Sequence, residues 1–488
     1  MSMTSDPAVG APPPTEVTPP APTPSAGPSA TLMWAMLIVV LIADLLDLLD
    51  ATITNIAAPT IVADIGGGSA LVKWLGASYA LAMGTLLVVG GRLGDKYGQR
   101  RIFLIGMTGF TLASAACGLA LNPVTLIIAR ILQGGFGALM IPQGVAIMTK
   151  TFPRDMLTKA FAAFGPMLGL SSIAGPVLAG FIIDANLAGL GWRPVFLINI
   201  VLGGAGLLAA IRLLPRVDAD PATRVDLRGS ALLGGAVFSL LYGLIQGSSD
   251  GWTIPPIACI GLAAVLFAGF CWRQTTATDP LIKPTLLANR GFTTGLVIGL
   301  AFFAGLTGLI YVISLFLQTG LRYTPAHASL ALLPLMIGLV LAAAVCMGLI
   351  SRLGRTLVVI GLFVTLAGAG LMLTVVATAG TRATWWELSG AILVIGMGMG
   401  TCIGTIFDIA LGDVDPDEAG GASGSLSAVQ QIAAGVGSAS VTSVYFSTLH
   451  AGQAHAVTVS LIVVMAITAM CFAATPLLPR VAAASQDH

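Results

Sequence analysis

The sequence predicts an all-α polytopic membrane protein of fourteen transmembrane helices, and three observations carry that prediction. Of the 488 residues, 56% are hydrophobic and only 9% charged, with a mean hydropathy of +0.95, well outside the range of soluble globular chains. Apolar runs of the roughly 20 residues needed to cross a hydrocarbon core of about 30 Å recur along the chain. Their continuous apolar length excludes a closed barrel, whose strands alternate over about ten residues. All seven tryptophans sit at or just beyond the end of a run, as expected of an interfacial belt.

The runs begin near Leu32, Lys73, Arg101, Pro123, Ala160, Pro194, Gly229, Pro255, Phe292, Ala326, Thr356, Leu388, Ser423 and Ala456. Before them, the first thirty residues carry nine prolines and almost no apolar bulk, which reads as a disordered tail. It has neither the basic nor the apolar region of a signal peptide, so the first span is expected to remain in place. With that tail in the cytoplasm, the basic residues divide sharply. Arg92, Lys96, Arg100, Arg101, Lys150, Arg154, Lys159, Arg212, Arg216, Arg224, Arg228, Arg273, Lys283, Arg290, Arg352, Arg355 and Arg480 fall inside, against Lys73, Arg193, Arg322 and Arg382 outside. That asymmetry predicts both termini in the cytoplasm and an even span count. A net charge of +1 gives no footprint for nucleic acid. Six scattered cysteines read as small core hydrophobes.

The first span contains LIVVLIADLLDLLDATITNIAAPTI, with Asp44, Asp47 and Asp50 inside it. Each Asp near a helix centre costs about 2.5–3.5 kcal/mol on insertion, while each Leu or Ile returns only about 0.3–0.6. Such a span survives if its acids face protein or water. At a period of three they share one face, within roughly 120° of one another. On the fourth span, RILQGGFGALMIPQG sets Arg130 and Gln133 one turn apart, and an intramembrane Arg wants a partner. Arg130 lies about 10 Å below the outer end of its span and Asp50 about 11 Å below that of the first. The matched depths predict an Asp50–Arg130 pair, close enough for each to shift the other's proton affinity. A purely structural salt bridge is the alternative.

Between the second and third spans, GRLGDKYGQRR offers Gly91, Gly94 and Gly98 for a tight turn. Asp95 is placed to accept hydrogen bonds from a neighbouring helix N-terminus, and Lys96, Arg100 and Arg101 form a basic cluster. SRLGRT after the tenth span is a faint echo of it, with Arg352, Leu353 and Gly354 opposite Lys96, Tyr97 and Gly98. If spans one to six and nine to fourteen are repeats, spans seven and eight are an inserted hairpin. The fifth span carries GLSSIAGPVLAG, with Gly169, Gly175, Pro176 and Gly180 suited to a kink and to close helix approach. Asp408, near the cytoplasmic end of the twelfth span, and Asp184, at the outer end of the fifth, read as interfacial acids; His450 and His455 read as solvated.

Four of these stretches resemble signatures of the major facilitator superfamily, in order and at the expected spans. GRLGDKYGQRR resembles the loop motif G-x-L-x-D-[RK]-x-G-[RQ]-[RK]-[RK], and Arg130, Gln133 and Gly134 resemble the start of the fourth-helix motif. GLSSIAGPVLAG resembles the antiporter motif G-x-x-x-G-P-x-x-G-G, with Ser171 and Ala179 departing from it. LLDATITNIAAPTI resembles the first-helix motif of the fourteen-span drug:proton antiporters through Asp50, Thr52, Asn55 and Pro59, with Ala58 departing; Asp44 and Asp47 lie outside that motif.

The resemblance implies a major facilitator fold of two six-helix halves around a midplane site. It implies a cytoplasmic latch in which Asp95 holds one access state. The division expected is a tail over 1–31, an N-terminal half over 32–214, linker and hairpin over 215–272, a cytoplasmic loop over 273–291, a C-terminal half over 292–476 and a tail over 477–488. The implied activity is export of lipophilic, cationic drugs from the cell across the inner membrane, by a monomer that exchanges them for protons. Asp50 would carry the proton, with Asp47, Asp44, Gln133 and Asn55 around the substrate path. A narrow-range exporter of one metabolite, amino acid or self-made antibiotic, and a non-transporting membrane sensor or lipid-handling protein, are the alternatives. The sequence has no Walker-type phosphate loop, no H-E-x-x-H and no Cys/His metal cluster. GMGMG at Gly396–Gly400 lies within an apolar run and reads as packing. No enzyme, metal or organic cofactor is expected, and the proton gradient is the expected energy source.

Overall fold

The computed structural model describes residues 29–153, 156, 160, 171, 174–215, 226–278, 280–347, 349–412, 414 and 419–479. Most of both tails, residues 1–28 and 480–488, lies outside these, as do Gly169, Arg154, Lys159, Arg216, Arg224, Asp413, Asp415, Asp417 and Glu418. In chain order the helices are α1 (Ala30–Ile65), α2 (Gly68–Tyr97), α3 (Gln99–Gly118), α4 (Pro123–Thr151), α5 (Ala174–Ala185), α6 (Pro194–Leu213), α7 (Leu227–Asp250) and α8 (Ile254–Thr276). There follow α9 (Arg290–Leu315), α10 (Pro325–Ala331 continued as Leu333–Met347), α11 (Arg355–Ala379), α12 (Trp385–Leu411), α13 (Ala419–Thr448) and α14 (Gln453–Ala474). Among the described residues there is no strand. Apart from α5, described only over its last turns, these are the 13 helices long and apolar enough to cross a membrane. The protein is therefore multi-pass, and apart from α5 its helices begin within a few residues of the predicted starts.

Local chemistry fixes the helix starts. Asn122 caps α4 by accepting from the Thr125 amide at 2.9 Å, with Pro123 in the first helical position. Asp226 and Asn289 cap α7 and α9 in the same way. Thr384 and Glu387 form a reciprocal capping box on α12. The faint repeat has a structural counterpart. Gly98 and Gly354 both take positive φ, +93° and +44°, at the turns joining α2 to α3 and α10 to α11, where a side chain would be strained. Beyond each turn an arginine reaches the end of its own bundle: Arg100 donates to the Ile211 carbonyl of α6, and Arg355 to the Pro476 and Leu478 carbonyls after α14.

Helices α1 to α4 and α6 pack among themselves, as do α9 to α14; α2 and α13 pack directly on each other across the two groups, and α7 lies against both and carries α8. We call the end holding Gly98 and Gly354 the basic end and the opposite one the far end. At the far end one core joins the two sets: Ile53, Ile56 and Ile61 of α1, with Trp192 and Phe196, meet Tyr311 and Phe316, Leu388 and Tyr445. Toward the basic end the described residues form two main cores, the first of which Ala428 of α13 also joins. One centres on Val40, Phe103, Met107 and Ile147, the other on Phe302, Val358, Ile406 and Cys471. Hydrogen bonds sew the far end: Tyr311 donates to the Val72 carbonyl at 2.9 Å, Ser314 to the Asn55 carbonyl at 2.8 Å, and the Ala326 amide to Asp184 at 3.2 Å.

Several expectations need correction. Gly91 and Gly94 lie inside α2 and not in the turn. Gly94 is instead the space into which the Gln143 side chain of α4 fits, and that side chain donates to the Gly90 carbonyl at 2.8 Å. Asp95 accepts from the Gln99 and Lys150 side chains, at 2.8 and 3.4 Å, rather than from a helix N-terminus. Trp192 is not a belt residue: it is 1% exposed, and its indole N–H donates to Asp64 at 3.0 Å. Lys73 is not an outer-loop cation: α2 starts five residues earlier, at Gly68, and Lys73 is fully buried. Of the six cysteines, Cys271 is exposed and Cys259 partly so, because α8 is a peripheral helix. GMGMG is packing: Gly396 and Gly400 of α12 lie against the Leu335 and Leu339 backbone of α10.

Candidate functional site

The three acids of α1 are all buried, but their surroundings differ in kind. Asp50, fully buried, is clamped by three side chains from two helices. Arg130 Nη1 of α4 donates to its Oδ2. Gln133 Nε2, one turn on, donates to its Oδ1 at 2.8 Å, and Asn199 Nδ2 of α6 to the same oxygen at 3.1 Å. Arg130 Nη1 also donates to Gln133 Oε1 at 2.9 Å, and Asn199 to Ser114 of α3 at 3.0 Å. The pair expected from matched depths is thus the centre of a four-helix network with both carboxylate oxygens engaged.

Asp47, one turn toward the basic end, has among the described residues a single side-chain partner, the Tyr79 hydroxyl of α2. The same tyrosine presents its ring face to the Arg130 guanidinium at 4.4 Å, and Phe196 stands on another side at 5.7 Å. Tyr79 therefore touches both Asp47 and the cation that holds Asp50. Gly134 and Gly137 of α4 make room for it. A Cβ at Gly134 would run into the Tyr79 backbone, and one at Gly137 would stand 3.3 Å from its hydroxyl and 3.6 Å from Asp47 Oδ1.

Asp44, a further turn along, has Oδ2 buried with no hydrogen-bond partner among the described residues. All three are buried, Asp50 at 0%, Asp47 at 7% and Asp44 at 8% exposure; what falls toward the basic end is the number of described partners. An unpartnered buried acid is costly, and such a group in a span marks a functional path.

The remaining site residues are dispersed. Asn55 lies more than a turn beyond Asp50, and its carbonyl accepts the Ser314 bond that joins the two sets. Gly175 of α5 leaves room for Thr52 and Leu49 of α1, while Gly180 faces the start of α10, where a Cβ would stand 2.6 Å from Ser329 Oγ. Asp408 is exposed, three residues before the end of α12. Gly91, Lys96, Arg100 and Arg101 line the basic end. Sequence reasoning missed Tyr79, Asn199 and Ser114. Asn199 had a signal, a lone amide in the apolar run PVFLINIVLGG, to which the rule that singled out Arg130 applies.

A fourteen-position array of membrane helices, holding a charged network inside one six-helix set and packed against a second set along α2 and α13 and at the far end, has the architecture of a membrane transporter. The comparisons place it more closely. The model of the Major Facilitator Superfamily matches residues 40–438, and the chain belongs to that family. It is similar to a probable actinorhodin transporter of Streptomyces coelicolor, 42% identical over 424 residues, covering 85% of this chain and 73% of the relative. It is also similar to a tetracenomycin C resistance and export protein of Streptomyces glaucescens, 31% identical over 83% of this chain and 74% of the relative. Among solved structures, a POT family transporter in complex with a thioalcohol-conjugated peptide superposes with a TM-score of 0.64 at 14% identity, covering 91% of this chain and 96% of that one. The xylose transporter XylE from E. coli does so with a TM-score of 0.61 at 12% identity, covering 91% and 97%. These two likenesses concern the fold alone. The protein is a transporter of small molecules across a membrane, not an enzyme.

Proposed function

We propose that this protein exports lipophilic small molecules, cationic drugs among them, in exchange for protons, by alternating access in the inner membrane. The observation that carries the reading is the buried Asp50–Arg130–Gln133–Asn199 network, set at the far-end side of a buried acid face whose next members, Asp47 and Asp44, are progressively less partnered. The basic end is cytoplasmic, with both termini on that side, and the protein acts as a monomer in the bilayer. A proton arriving from outside neutralises Asp50, loosening its hold on Arg130. The freed cation turns toward Tyr79 and Asp47, and release of the proton inside restores the network. Asp47 and Asp44 meet the positive charge of a substrate arriving from the cytoplasm, or relay the proton. The units 32–214 and 292–476 rock against each other. When the basic end closes, the Asp95 loop latches one unit to the other.

The printed names of the two relatives above favour a second reading, a narrow-range exporter of one antibiotic. A single experiment separates them. Cells expressing the protein should extrude ethidium, and a protonophore should stop the extrusion. Efflux indifferent to the protonophore would remove proton coupling. No dye efflux, with resistance confined to one antibiotic, would select the narrow exporter.

A further inference from the structure

The charged network lies inside the first six-helix set, but a recess lies on the outside of that set. It is a cavity of about 420 Å³ where the inserted hairpin meets the set, lined by Thr85 and Val89 of α2, Ile131 of α4, and Leu227, Gly234 and Phe238 of α7. Gly234 keeps it hollow: a Cβ there would have Thr85 Cβ, 3.7 Å away, as its nearest neighbour across the recess. Leu86, Leu227 and Phe238 are exposed at the rim. Because α2, α4 and α7 are long and apolar enough to cross a membrane, that rim opens into hydrocarbon.

The lining suits an acyl chain. Its two side-chain hydroxyls donate to their own helices, Thr85 to the Leu81 carbonyl at 2.8 Å and Ser230 to the Asp226 carbonyl at 3.0 Å. A ligand that must hydrogen-bond loses partners on entering such a space, and a hydrocarbon chain loses none. Charge then marks one end. Thr85, Val89 and Arg92 stand four and three residues apart on α2, and Arg228, Ala231 and Gly235 three and four apart on α7. Each arginine therefore continues a lining face at the basic end. Of the described acids near them, Asp226 is held by Arg273 at 3.1 Å and Asp95 by Lys150 at 3.4 Å. Basic pockets between membrane helices are where anionic lipid headgroups bind.

We propose that this recess binds one anionic phospholipid from the leaflet at the basic end, with an acyl chain between α2, α4 and α7 and its phosphate at Arg92 and Arg228. The lipid bridges the inserted hairpin and the first six-helix set. The site is separate from the Asp50 network and does not depend on which molecule the protein exports or on which acid carries the proton.

The test uses the full-length protein in phosphatidylcholine nanodiscs, doped either with phosphatidylglycerol carrying a diazirine on its acyl chain or with phosphatidylcholine carrying the same chain. After illumination, peptide mass spectrometry should find residues 81–89 and 227–238 labelled about fivefold more by the glycerol lipid, the scale of one basic residue at an anionic surface. Arg92→Gln/Arg228→Gln should remove that preference, and Gly234→Leu should cut the labelling of both segments by both lipids. Equal labelling by the two lipids in the parent protein, label no denser in the recess than on peripheral α8, or an unchanged pattern in Gly234→Leu would each overturn the proposal. Loss of the label on adding ethidium would also overturn it, by assigning the recess to a transported molecule. If the double arginine variant does not reach the membrane, Arg228→Gln alone, at the exposed start of α7, decides, with an unchanged preference counting against the site.

Discussion

Asp50→Asn is expected to abolish gradient-driven export and, in the same molecule, to lower stability. The Arg130 guanidinium is 1% exposed and would lose its carboxylate while remaining buried. Removing one partner of such a pair costs about 3–5 kcal/mol. Gln133 and Asn199 can still bond an amide at position 50, so the variant should fold and reach the membrane. Arg130→Met should likewise destabilise, by leaving Asp50 without its cation. The double variant should recover most of the lost stability and none of the transport, because a buried pair replaced as a unit leaves no orphan charge. Thermal unfolding in detergent and substrate efflux from the same preparations check this. Gradient-driven transport retained by Asp50→Asn would mean that another acid carries the proton. Strictly additive stability losses would mean that the two groups are not coupled.

The second large effect runs the other way. Asp44→Leu is expected to raise stability while impairing export of cationic substrates. The wild-type side chain keeps one oxygen buried without a partner, a deficit worth about 1–3 kcal/mol, and an apolar replacement removes it. Sites that violate packing rules are where function is expected to oppose stability. Asp47→Asn should fall between, since Tyr79 can still bond an amide oxygen. Thermal unfolding, together with efflux of a cationic and a neutral substrate, measures both parts. A loss of stability in Asp44→Leu, or equal effects on both substrates, would contradict a cation-facing role.

These expectations show which parts of the molecule the chain declares. Spans are legible because apolar length is a one-dimensional property; the Asp50–Arg130 pair was legible because an intramembrane arginine wants an acid, although α1 runs to Ile65, past the Ala57 end from which the depth of Asp50 was counted. Tyr79 was not legible: a lone tyrosine in an apolar run is unremarkable until α4 glycines bring it between Asp47 and Arg130. Lys73 and Trp192 were misplaced for a related reason. Charge and aromaticity near a helix end normally mean an interface, and only the packing of α7 and α13 around one, and the Asp64 contact of the other, reveal burial. Asp44 and Asp47 looked equivalent to Asp50 by periodicity. What separates them is the number of partners, a tertiary property.

Proton exchange at this acid face is tested most directly in basic-end-out membrane vesicles with an acidic lumen, by following luminal pH as substrate is added. The account predicts that substrate uptake raises luminal pH in wild type, and that neither uptake nor the pH rise occurs in Asp50→Asn. Substrate accumulation with no change in luminal pH would contradict it.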